Sequence, residues 1–125
     1  DRGHVVHAEF AALSHAPGAM ALTRHSTNSG AHFMDGPGDI RVATIDSLQL
    51  EACDLIFLDV EGLEAPVLAG AVHTIRRCHP VLYLEDKGMS ERYGIAQGGV
   101  VEAMVSEFGY RLYERDRIDA VMVPP

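Results

Sequence analysis

Two runs decide the fold: Asp54-Leu55-Ile56-Phe57-Leu58-Asp59-Val60 and Pro80-Val81-Leu82-Tyr83-Leu84-Glu85-Asp86. Each is continuously apolar through its middle, the pattern of a strand covered on both faces, and each ends in carboxylates. Between them Leu63, Val67, Leu68, Ala71, Val72 and Ile75 recur at helical spacing. Pro66 falls in the first turn, where its missing N–H breaks no helical hydrogen bond. Arg76, Arg77 and His79 close this helix where positive charge complements the dipole, and His73 is read with them. Strand, helix and strand in that order predict two parallel neighbours joined by a right-handed crossover.

Upstream, Val5 to Leu13 reads as a strand, His15-Ala16-Pro17-Gly18 as a turn, and Ala19 to Thr23 as a second strand returning by a hairpin. Ser26 through Asp39 is rich in turn formers and reads as one long loop. Downstream, Val100, Val101, Met104, Val105 and Phe108 mark an amphipathic helix stopped by Gly109 in the C′ position. Tyr110 to Glu114 and Ala120 to Val123 then form an antiparallel pair around Asp116. The expected class is α/β, a mostly parallel sheet with a C-terminal antiparallel hairpin.

The whole chain is 125 residues, the size of one domain, with 47% hydrophobic and 22% charged residues, which places it among folded globular chains. Ten Lys and Arg against eighteen Asp and Glu give a net charge of −8, which repels phosphate backbones and anionic lipid and argues against nucleic acid as a partner. No apolar run approaches the ~20 residues of a membrane span. Cys53 and Cys78 lack metal-site spacing and read as two buried, reduced thiols, which fits a cytoplasmic location. The chain opens on Asp1 rather than Met, so a segment is expected upstream.

In an open parallel sheet ligands bind at the carboxyl ends of the strands, where Asp59, Glu61, Glu85 and Asp86 all lie. Carboxylates at matching ends of adjacent strands either converge on one cation or substrate hydroxyl, or cap the helices that follow. His15, His25 and His32 sit in or beside loops, as general bases or as exposed loop histidines. Gly98-Gly99 precedes a helix, a weak phosphate signal and otherwise a flexible loop.

Several segments resemble the C-terminal half of FkbM-type methyltransferases: Thr44-Ile45-Asp46-Ser47-Leu48, Asp54 through Glu64, Val67-Leu68-Ala69-Gly70-Ala71, and His79-Pro80-Val81-Leu82 with Glu85. Ala11-Ala12-Leu13-Ser14 and Asn28-Ser29-Gly30-Ala31 resemble the family's preceding segments. The resemblance implies a Rossmann-like class I domain that transfers a methyl group from S-adenosylmethionine to an oxygen of a sugar, lipid or natural product. It implies a partial domain spanning the third to seventh strands, 1–125. It lacks the units that carry the glycine-rich cofactor turn, and no G-x-G-x-G follows a strand here.

By this resemblance Asp59, Glu61 and Glu85 are the catalytic candidates, Ala12, Ser14 and Asp59 lie on the cofactor side, and Ser26–Asp39 forms part of the acceptor pocket. A likeness to metal-dependent catechol-type O-methyltransferases would place magnesium on Asp59, Glu85 and Asp86. An open edge beside Asp54–Val60 is expected, through which the chain pairs with a partner or a second copy. Two readings stand beside methyl transfer: a non-catalytic interaction module using that edge, and a magnesium-dependent hydrolase using the same four carboxylates.

Overall fold

The computed structural model describes residues 3, 5–24, 27 and 32–125. In one sheet β1 (Ala12–Leu13) lies parallel to β3 (Phe33–Ala43), which pairs antiparallel with β2 (Gly18–Thr23). The second sheet begins with β4 (Leu55–Leu58) and β5 (Val81–Glu85), which are the parallel neighbours expected from the two apolar runs. In that sheet β7 (Asp119–Val123) runs antiparallel between β5 and β6 (Arg111–Arg115), giving the order β4-β5-β7-β6. Three α-helices are described: α1 (Glu64–Ala69), α2 (Val72–Cys78) and α3 (Gly99–Phe108).

The α/β class holds, but the sheets are mixed rather than mostly parallel. Insertion of β7 beside β5 makes two of the three pairings in the larger sheet antiparallel. Of the Val5–Leu13 strand only Ala12–Leu13 joins a ladder, and Val5, Val6 and Phe10 stay 75%, 88% and 85% exposed. The partner of β2 is β3, so the second half of the expected loop is strand. Its turn-forming composition reflects a break in the ladder: Met20 pairs with Ile40 and Ala21 with Asp35, which leaves Gly36–Asp39 looped out. Gly38 is required there, because a Cβ would fall 2.3 Å from the Ala21 backbone nitrogen.

The single helix expected after β4 is two. Gly70 ends α1 against the end of β1, where an added Cβ would meet the Ser14 carbonyl oxygen at 2.2 Å. Its own carbonyl accepts a hydrogen bond from Asp46 N (2.9 Å) instead of continuing the helical ladder. Consequently His73 opens α2 rather than closing a long helix, and only Arg76 and Arg77 occupy a last turn.

Ile56, Leu58, Leu82, Leu84, Ala120 and Met122 form the buried sheet face against Val67, Leu68 and Ile75 of α1 and α2 and Val100 and Met104 of α3. The opposite face of β4 is bare, which corrects the expectation of strands covered on both sides. Leu55 and Phe57 are 56% and 61% exposed, the Phe57 ring resting at 4.9 Å from Tyr83. β4 is also an edge strand, paired among the described residues with β5 alone. Cys53 and Cys78 are free thiols, half-buried rather than fully buried. Among the described residues no helix is long and apolar enough to cross a membrane.

Asp46 joins the sheets to the helices. Its carboxylate accepts hydrogen bonds from His73 N (3.1 Å), Thr74 N (2.8 Å) and Thr74 Oγ1 (2.8 Å), capping α2 from a distance in sequence. Burial pushes this carboxyl's pKa up, but the Thr74 and His73 hydrogen bonds outweigh it and hold it below the usual aspartate range. A depressed folded-state pKa stabilises the fold above the unfolded value and loses that contribution as pH falls through the folded one. Asp46→Ala is therefore expected to cost about 1–2 kcal/mol near neutral pH. Urea titrations of parent and variant should converge as pH falls below 3.8.

Candidate active site

The β4–β5 register sets the site. Leu58 faces Leu84 in the parallel ladder, so continuing by one residue brings Asp59 beside Glu85 at the carboxyl ends of both strands. The chain then turns sharply: Glu61 and Gly62 both take positive φ, at 51° and 102°. This reversal carries the Glu61 side chain back to the same spot. Asp59, Glu61 and Glu85 each offer one carboxylate oxygen within 4.8 Å of the others. Lys87 closes the group, its ammonium donating to Glu61 Oε1 at 3.1 Å and pairing with Glu85 Oε2 at 2.8 Å.

These groups differ in exposure and proton affinity. Asp59 is exposed, Glu85 half-buried, and Glu61 only 8% exposed. Burial pushes the Glu85 carboxyl pKa up; Lys87 opposes this, and the Asp59 carboxylate at hydrogen-bonding distance adds to it. The Lys87 ammonium is held far above the ordinary lysine value by its bonds to Glu85 and Glu61, against the cost of burial. Lys87 is thus a fixed positive charge at neutral pH, not a base.

A second, buried carboxylate supports the turn. Glu64, 2% exposed at the start of α1, accepts from Val60 N, Gly62 N and Ser90 Oγ, each at 3.3 Å. It ties the turn after β4 to a 3₁₀ segment, Met89–Tyr93. That segment is bound in turn to β3 by the Tyr93 hydroxyl, which donates to Met34 O at 2.7 Å.

A cleft of about 330 Å³ opens beside the carboxylates, lined by Ala11, Ala12, Leu13, Met34 and Leu63 on its apolar side and by Asp59 and Glu61 on the other. Of the residues expected on the cofactor side, Ala12 and Asp59 line it. Ser14 does not: it is buried against Gly70, its backbone N–H donating to Ala43 O at 3.0 Å. Asp86 does not join the cluster either. Its Oδ2 accepts from Gly98 N at 2.8 Å and from Arg115 at 2.7 Å, which fixes the start of α3 to β6. The Gly98-Gly99 step is accordingly held by a carboxylate of the chain itself.

Among the loop histidines His32 lines the cleft, His15 Nδ1 lies 3.3 Å from Ser14 Oγ, and His25 lies outside the described residues. Of the expected acceptor loop, Phe33 and Met34 reach the cleft; Asn28-Ser29-Gly30-Ala31 are outside the described residues. Sequence reasoning overlooked Lys87 and Glu64. Lys87 follows the apolar run by one residue beyond Asp86, and its meaning depends on the strand-end geometry. Glu64 carries a legible signal, an acid in the first turn of a helix.

Strand-end carboxylates beside a cleft, in a mixed α/β domain, define an enzyme-like site. Residues 7–112 match the model of the FkbM methyltransferase domain. The chain belongs to that family of methyltransferases. No curated protein and no solved structure matches it.

Proposed function

We propose that the chain carries the acceptor side of an S-adenosylmethionine-dependent O-methyltransferase whose acceptor is a hydroxyl of a sugar, lipid or natural product. The observation that carries this reading is the convergence of Asp59, Glu61 and Glu85 at one end of the β4–β5 pair, with Asp59 and Glu61 lining the cleft, in a chain of this family. Methyl transfer to a hydroxyl requires positioning, removal of one proton and complementarity to positive charge, and acids at a cleft serve all three.

The cleft suits the reacting end of the cofactor rather than the whole molecule, being at the lower limit of small-molecule sites. Ala12 offers an apolar wall and Asp59 a negative charge that complements a sulfonium. When bound, S-adenosylmethionine supplies the methyl group. Asp59, exposed at the cleft, would take the proton that the acceptor hydroxyl gives up on methylation. Glu85, with its raised proton affinity, shares that proton, and Lys87 keeps Glu61 and Glu85 oriented.

The test is transfer of labelled methyl from S-adenosylmethionine to hydroxyl-bearing acceptors by the expressed gene product, together with thermal-shift titration of S-adenosylhomocysteine. Transfer to oxygen supports the reading. Transfer to nitrogen or carbon acceptors alone, or neither transfer nor a shift, overturns it.

A further inference from the structure

The smaller sheet carries an apolar face that the acidic cleft leaves unused. Its register sets Leu22 opposite Met34 and Met20 opposite Ile40, and Ala12 pairs with Val42, two residues beyond Ile40 on β3. Residues two apart on a strand share a face, so the pairing puts all six on one side of the sheet. Val42 is buried there, while Leu22 stays 42% exposed. Beside them opens a groove of about 230 Å³, lined by Phe10, Ala11, Ala12, Leu22, Met34 and Ile40, every one of them apolar.

Ala11, Ala12 and Met34 also line the cleft that holds Asp59 and Glu61, so the groove adjoins the candidate active site and Met34 stands at the junction. Tyr93 fixes that junction by donating to Met34 O at 2.7 Å, while the unbranched thioether above it can adapt to what enters. Chemistry and size together select the occupant. The cleft offers carboxylates, whereas no lining side chain of the groove can hydrogen-bond. A sugar ring there would leave hydroxyls without side-chain partners, a cost that an alkyl chain does not incur. Six lining residues are also far fewer than the about 20–30 a side of a stable protein interface, which favours a small molecule.

We infer that this groove binds the alkyl or acyl chain of the methyl acceptor, whose hydroxyl lies at Asp59 in the adjoining cleft. The acceptor is then an amphiphile, a lipid or lipid-like alcohol, and not a free sugar. Joined, cleft and groove fall well within the size of an ordinary small-molecule site, whose lower limit the cleft alone only reaches. Chain binding stands on the groove itself; that the chain belongs to a methyl acceptor rests on the methyl-transfer reading.

The intact chain, labelled with ¹³C at its methionine methyls, is titrated with 1-butanol, 1-hexanol and 1-octanol. The Met34 methyl signal should shift saturably, with affinity rising about fourfold per added methylene until the groove is full. Leu22→Gln and Leu22→Ala should each weaken octanol binding at least about tenfold. Leu112→Gln, at a leucine of matching exposure (44%) on β6, should titrate like the parent and so separates the groove from general surface greasiness. Thermal melts identify which Leu22 variant is folded, and that one is read. No saturable shift in the parent, unchanged octanol affinity in the folded Leu22 variant, or an equal loss in Leu112→Gln overturns the groove. Loss of octanol binding in saturating S-adenosylhomocysteine assigns the space to the cofactor and overturns it as well. Where methyl transfer is found, octyl glucoside should exceed glucose at least about tenfold in kcat/KM, and equal or reversed values overturn the acceptor class. Saturable, Leu22-dependent binding in a chain that transfers no methyl group upholds the groove and strikes only the functional reading, so the two fail separately.

Discussion

Gly62→Ala is expected to destabilise the chain by at least about 3 kcal/mol and to dismantle the carboxylate cluster with it. Two costs combine at this position. The backbone sits at φ +102°, a conformation that a residue with a Cβ rarely adopts. The added carbon would also lie 2.5 Å from Met89 O and 2.9 Å from Ser90 N, both backbone atoms that cannot swing aside. Relief requires the turn after β4 to separate from the Met89–Tyr93 segment, which would pull Glu64 off Ser90 Oγ and shift Glu61 relative to Lys87. Gly88→Ala isolates the first cost, since Gly88 has φ +84° but its added Cβ meets only the flexible Gln97 side chain at 3.9 Å. That variant should lose about 1 kcal/mol. Urea unfolding of the two variants decides the matter: equal losses would mean that the close approach to Met89 contributes nothing.

The parts of this fold that were legible in the sequence are those governed by short-range rules. Continuous apolar runs ending in acids located β4 and β5, and strand–helix–strand order fixed their parallel pairing. Gly109 marked the end of α3 through its left-handed backbone, φ 71°. What the sequence concealed depends on contacts between distant segments. Gly36-Pro37-Gly38 reads as loop because those residues are turn formers, yet they lie inside the span of β3 where its ladder to β2 is interrupted. The break between α1 and α2 follows from Gly70 meeting Ser14 and Asp46, residues that only the folded chain brings near. The site divides in the same way. Asp59 and Glu85 could be placed from strand ends, whereas separating Glu61 from Asp86 required knowing that Glu61 reverses direction through a left-handed turn and that Asp86 meets Arg115. Placement of acids at strand ends therefore located the carboxylate cluster but not its membership.

Asp59→Asn carries the other large effect, on activity rather than stability. The substitution keeps the size of the side chain and removes its capacity to take a proton. If Asp59 receives the acceptor proton, kcat for methyl transfer should fall about 10²–10⁴-fold with KM changed far less. Stability should stay within about 0.5 kcal/mol, because the side chain is exposed and one like-charge contact with Glu85 is relieved. The neighbour supplies an independent reading. Asp59 is one of the groups that raise the Glu85 pKa, so the variant should bring the Glu85 carboxyl back toward its ordinary value. A carboxyl whose folded pKa is raised stabilises the fold fully below the unfolded pKa and loses that contribution as pH rises through the folded one. In Asp59→Asn this pH dependence of stability should flatten, and NMR titration of the Glu85 side-chain carbon should show the midpoint moving down. A variant that retains kcat within about tenfold while the Glu85 midpoint moves as expected would place Asp59 in the electrostatics of the cluster and remove it from proton transfer.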